Sequence, residues 1–113
     1  MRLRIPPKKV CEKFLLIYEL EGCQKAVNYL ASYYGIKTMK IVLDGKKVGK
    51  KSWKACYDNG KAYFKKEELN KRTVLHEFYH HTVAVYPLEM NLSEEEKEAN
   101  RFAREVLIKA RAI

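Results

Sequence analysis

Thr73-Val74-Leu75-His76-Glu77-Phe78-Tyr79-His80-His81 is the stretch from which the rest of the fold is read. It holds an H-E-x-x-H pattern and all 3 histidines of the chain. Val74, Leu75, Phe78, Val83 and Val85 give the segment buried faces, so it reads as a helix packed into a core rather than an exposed charged one. Asn70 is placed to cap it, and Tyr86–Pro87 to end it. Residues four apart share a helix face, so His76 and His80 aim their rings at one point. Zinc takes imidazole nitrogens at about 2.0–2.1 Å in tetrahedral order, which two rings one turn apart begin to satisfy. Glu77 follows the first histidine directly. It flanks such a metal without ligating it, where a carboxylate can act as general base toward water.

A catalytic zinc needs a third protein ligand and a vacant fourth position. His81 points about 100° around the helix from His80, so the third ligand has to come from elsewhere. Glu94-Glu95-Glu96-Lys97-Glu98-Ala99-Asn100-Arg101-Phe102-Ala103 offers candidates on a following helix. Glu96 and Asn100 lie four apart, so one face presents a ligand and, a turn later, an amide able to bond the far ring nitrogen of a ligating histidine. Ala99 and Ala103 permit close helix approach, with Phe102 and Val106 filling the remaining space. Ser93-x-x-Glu96 is equally a capping box, in which Glu96 bonds the Ser93 backbone instead. The spacing leaves both roles open, and Glu94, Glu95 and Glu98 read equally as ordinary solvated acids.

Moving toward the N-terminus, Val10–Leu20 and Gln24–Tyr34 carry helical apolar spacing. Gly22 lies between them and Gly35 after, so they are one bent helix or two consecutive ones. Thr38–Leu43, Trp53–Tyr57 and Lys61–Phe64 read as strands. Asp44–Gly45 and Asp58-Asn59-Gly60 are turn signals, the latter a strong hairpin one. The expected fold is therefore α+β: N-terminal helices, a small, mostly antiparallel sheet of about three strands, the H-E-x-x-H helix, and a last helix from Ser93 to roughly Ile108. Acids in its first turn and Lys109 and Arg111 near its end suit the helix dipole.

The 113 residues fit one domain over 1–113, and 47% hydrophobic content with 8 Tyr, 4 Phe and 1 Trp excludes a disordered chain. The 3 cysteines form no CxxC, which argues against a disulfide scaffold or a thiolate zinc site. No apolar run approaches the roughly 20 residues of a membrane span. Phe14–Tyr18 is too short for a signal peptide, so a soluble cytoplasmic protein is expected. The formal charge of +9 fits a nucleic-acid surface, an acidic partner, or a lysine-rich solvated exterior. Charge alone does not name the partner.

His76-Glu77-Phe78-Tyr79-His80 followed by Glu96-Lys97-Glu98-Ala99-Asn100-Arg101-Phe102-Ala103 resembles the gluzincin metallopeptidases. These are thermolysin-like enzymes whose third ligand is a glutamate on the next helix. The E-x-x-A-N-x-F-A form looks like the compact branch that includes ImmA/IrrE-type repressor-cleaving proteases. The element order is similar to that of the minigluzincins. The resemblance implies a Zn2+ ion held by His76, His80 and Glu96, Glu77 as general base, and Asn100 at the position of a supporting aspartate. It implies a protein or peptide substrate extended along a strand edge. It also implies latency, with Leu107–Ile113 covering the cleft of its own chain or, through oligomerisation of the C-terminal helix, of a neighbour. The alternative of a different class is a non-catalytic basic zinc domain that binds nucleic acid or a regulatory protein. Tyr79 replaces the small residue of the common H-E-x-G-H form, so it is expected to crowd the sheet or line the cleft. Tyr79, Tyr86 and His81 are the weak candidates for stabilising a tetrahedral intermediate.

Overall fold

The computed structural model describes residues 3–49, 53–86 and 90–111. Helix α1 (Lys8–Glu21) starts where the Pro7 carbonyl accepts from the N–H groups of Val10 and Cys11, at 3.0 and 3.1 Å. It ends at Gly22, whose φ of 99° is a conformation that L side chains rarely adopt. That residue alone separates α1 from α2 (Cys23–Tyr34), so the two N-terminal runs are separate consecutive helices.

Strands β1 (Lys40–Leu43), β2 (Ala55–Asp58) and β3 (Lys61–Phe64) form one sheet in the order β1-β3-β2. The β2–β3 hairpin is antiparallel and turns on Asn59 and Gly60, with φ of 47° and 83°. Positive φ at both central residues matches the twist of a two-residue hairpin. β1 pairs with β3 in parallel, so the sheet is mixed rather than mostly antiparallel. The reason lies at Asp44–Gly45. Asp44 does not make a hairpin; its carboxylate accepts from Lys46 N–H at 3.1 Å and caps a 3₁₀ turn, Gly45–Lys47. The chain then crosses over β3 to reach β2, which a parallel pairing requires.

Helix α3 (Lys71–Val85) opens on a reciprocal cap: Thr73 N–H donates to Asn70 Oδ1 at 3.0 Å, and Asn70 N–H donates to Thr73 Oγ1 at 3.2 Å. Helix α4 (Leu92–Arg111) opens on Asn91, not Ser93. Asn91 Oδ1 accepts from Glu94 N–H at 2.8 Å, and its amide donates to Glu94 Oε1 at 3.0 Å. Glu94 thus stands at the third position of the helix in place of Glu96, its carboxylate bonded to the Asn91 side-chain amide rather than to a backbone N–H.

Phe14, Phe64, Phe78 and Phe102 are fully or almost fully buried in one core with Leu30, Leu75 and Val106. Burial of each such side chain contributes roughly 1.5–3 kcal/mol. Phe78 of α3 stacks on Phe102 of α4 at 6.3 Å, and Tyr79 meets the same ring at 5.6 Å. Those contacts fix the register of α4 against α3. Among the described residues no helix is long and apolar enough to cross a membrane.

Candidate metal centre

The register set by Phe102 brings the N-terminal turns of α4 over the middle of α3. His76 Nε2 lies 3.2 Å from His80 Nε2. The two carboxylate oxygens of Glu96 lie 3.1 Å from His76 Nε2 and 2.8 Å from His80 Nε2. The sequence therefore named three side chains that the fold converges on one point, with all ligand atoms within 4.8 Å of one another.

The donor set fits zinc. Ligands about 2.0–2.1 Å from a tetrahedral ion are about 3.3 Å apart, close to the separations found here. The outer partners of the rings sharpen the fit. His76 Nδ1 faces Asn100 Oδ1 at 2.9 Å, and His80 Nδ1 faces Glu95 Oε2 at 2.5 Å. Both partners are acceptors, so each neutral ring carries its proton on Nδ1 and leaves Nε2 as a bare lone pair. Two lone pairs and a carboxylate facing one another repel unless a cation lies between them. Burial also pushes the pKa of His76 down, an effect partly opposed by Glu96, so the neutral ligating form is favoured.

Glu77 Oε2 lies 3.9 Å from His76 Nε2 and is 7% exposed, beside the triad but not in it. Burial raises its pKa to about 7, with Glu96 adding to the rise and His80 opposing it. The group sits where it can hold or release a proton near neutrality.

An open cleft of about 820 Å³ runs between α3 and β2, with the triad and Glu77 on one wall and Trp53–Tyr57 on the other. Lys65 N–H donates to the Lys54 carbonyl at 3.3 Å, which marks 54 and 65 as a bonded pair. By antiparallel alternation, Ala55 and Tyr57 turn their N–H and C=O groups away from β3, onto the free edge. The height of that edge is set by His81. Its Nε2 donates to the Lys37 carbonyl at 2.6 Å, and its Nδ1 accepts from the Tyr57 hydroxyl at 2.8 Å.

Other expectations are corrected or refined. Tyr79, 1% exposed, lies in the core against Phe102 rather than on the sheet or in the cleft. Tyr86 bonds the Tyr34 carbonyl, and buried His81 braces β2, so none of these three lines the site. The α4 segment 107–111 does not cover the cleft of its own chain: Leu107 and Ala110 pack on the core and Lys109 bonds the Pro6 carbonyl. At 1.5 Å per residue, Arg111 is about 22 Å along the helix from Glu96. Residues 112 and 113 of that expectation lie outside the described residues. Sequence reasoning missed Glu95, treated as a solvated acid, and Arg72, which lines the cleft one turn before His76. Both were findable. The buried stripe Ala99, Phe102, Ala103, Val106 extends backward at helical spacing onto Glu95 and Glu96 together. Compared with known proteins, the chain matches no family model, no curated protein and no solved structure.

Proposed function

We propose that the chain is a zinc-dependent endopeptidase of gluzincin type. The observation that carries this reading is the convergence of His76 Nε2, His80 Nε2 and a Glu96 oxygen beside a non-ligating Glu77, on the floor of a cleft walled by a strand edge. Structural zinc sites are closed by four protein ligands, whereas three ligands and an adjacent carboxylate leave room for chemistry.

An extended peptide pairs its main chain with the outward N–H and C=O groups of Ala55 and Tyr57. That pairing lays a peptide bond beside the triad. His76, His80 and Glu96 would hold zinc there, and the ion would supply Lewis-acid polarisation and a more acidic water. Glu77 takes a proton from the attacking water and passes it to the leaving amine. Asn100 and Glu95 keep the two rings turned toward the ion. Glu96 would be available as a ligand, since Asn91 and Glu94 close the helix start.

Glu77→Gln tests the reading. Peptide cleavage is expected to disappear while zinc content stays at the wild-type level. Undiminished cleavage by that variant excludes Glu77 as base, and an absence of zinc from the wild-type protein removes the site itself.

A further inference from the structure

We infer that the outer face of the sheet, together with the 3₁₀ turn lying on it, binds the phosphate backbone of nucleic acid without reading its sequence. This surface is separate from the metal triad and does not depend on the peptidase reading.

The chain's positive charge is not spread evenly. Residues 40–66 hold nine lysines and two aspartates, a net +7, out of the +9 of the whole chain. The other residues hold fourteen Lys and Arg against twelve Asp and Glu, leaving +2. Several of the described residues of this segment share one face of the sheet. Ala62 and Phe64 of β3 are buried in the core, so Lys61 and Tyr63 face the opposite side. In the parallel register Lys40 stands beside Lys61, and on the other flank Asp58 does. The 3₁₀ turn that follows β1 lies on this face: Lys47 Nζ sits 5.7 Å from the centre of the Tyr63 ring. Lys40, Lys46, Lys47 and Lys61 are all exposed.

Lys40 beside Lys61 is informative. Like charges placed opposite one another in a sheet destabilise it, whereas a phosphate between them turns the repulsion into two favourable contacts. A lysine-rich exterior alone predicts cations scattered over the whole surface. Here the helices balance theirs, as Arg101 does with Glu98 and Glu105 and Lys71 with Glu19. Phosphates repeated along a backbone match a surface of point charges, since lysine contacts phosphate without needing a fixed geometry. Tyr63, the aromatic on this face, is half-buried under that turn, which leaves backbone charge rather than base stacking as the recognised feature.

Fluorescence anisotropy with a labelled 20-nucleotide RNA and a DNA duplex of the same length tests this. Wild-type affinity is expected to fall linearly with salt on logarithmic axes. A triple variant, Lys40→Gln/Lys46→Gln/Lys61→Gln, is expected to bind about 10–100-fold more weakly at low salt and to lose roughly 2–3 from the slope. Lys8→Gln/Lys9→Gln/Arg104→Gln removes the same charge from helical surfaces and is expected to change affinity less than about 3-fold. The pair Lys40→Gln/Lys46→Gln keeps the test valid if the triple variant folds poorly, because it relieves the like-charge neighbours and leaves Lys61 beside Asp58. Glu77→Gln, which probes the peptidase, should bind nucleic acid as wild type does. No binding at about 50 mM salt would overturn the inference, as would equal losses in the sheet and helix variants. Competition by polyglutamate as strong as that by RNA of equal charge would overturn it in favour of an acidic polypeptide.

Discussion

The helices and the sheet layer treat charge in opposite ways. In the helices, cations sit beside anions: Lys71 with Glu19 at 2.6 Å, Arg101 with Glu105 at 2.6 Å. In the sheet layer, cations outnumber anions: Lys61 stands between Lys40 and Asp58, with Lys46 and Lys47 on the adjoining turn. The candidate metal ligands belong to the balanced half, with Glu77, Glu95 and Glu96 close to the two histidines. A site that gathers a divalent cation gains from acidic neighbours and loses from a positive field. Lysines on the outer face of the sheet are exposed, so solvent and salt screen their effect on such a site. The difference teaches that the molecule has two chemically distinct surfaces, and that substitutions in one should leave the other unchanged.

The largest effect expected within the helical half is on turnover. Glu77→Gln should lower peptide hydrolysis about 10²–10⁴-fold, measured as kcat/KM on a quenched fluorescent peptide, with zinc and polyanion binding intact. Core truncation comes next. Phe78→Ala removes the ring that stacks on Phe102, and should cost about 3–5 kcal/mol in urea denaturation. If the triad depends on the α3–α4 register, as described, this variant should also bind zinc more weakly.

Changes at the outer partners of the histidines should be smaller. Glu95→Ala and Asn100→Ala are each expected to weaken zinc binding by about 10–100-fold in chelator competition, while melting with excess zinc changes little. Tyr57→Phe leaves His81 Nδ1 without its donor and should destabilise the fold by about 1–3 kcal/mol. That variant touches the junction between the two halves, so it is the one expected to affect both peptide cleavage and the stability of the sheet. Asn91→Ala should cost about 1 kcal/mol, the usual worth of a helix cap. A larger loss of zinc affinity than of stability there would mean that the cap also aims Glu96.

Local signals in the sequence were the legible ones. The i, i+4 histidines, the Asn70 cap, Gly22 and the Asn59–Gly60 turn each depend on a few neighbouring residues, and each appears in the fold as read. The partner of β1 was not legible. Lys40–Leu43 has the same side-chain pattern whether its neighbour runs parallel or antiparallel, and the choice is made by a crossover whose Asp44 caps a 3₁₀ turn. The start of α4 was ambiguous because Asn91 and Ser93 are both good caps two residues apart; only the packing of Phe102 decides between them. Tyr79 was misplaced because it stands where the H-E-x-G-H form has a small residue, which suggested crowding at the sheet or cleft, whereas its helix face points at α4.

Zinc K-edge X-ray absorption on the purified protein, loaded with one equivalent of zinc, addresses the metal centre directly. The expected spectrum has two imidazole nitrogens and carboxylate oxygen at about 2.0–2.2 Å, and loses an imidazole in His80→Ala. A shell of sulfur at about 2.3 Å, or zinc that washes off the wild-type chain, would contradict the account.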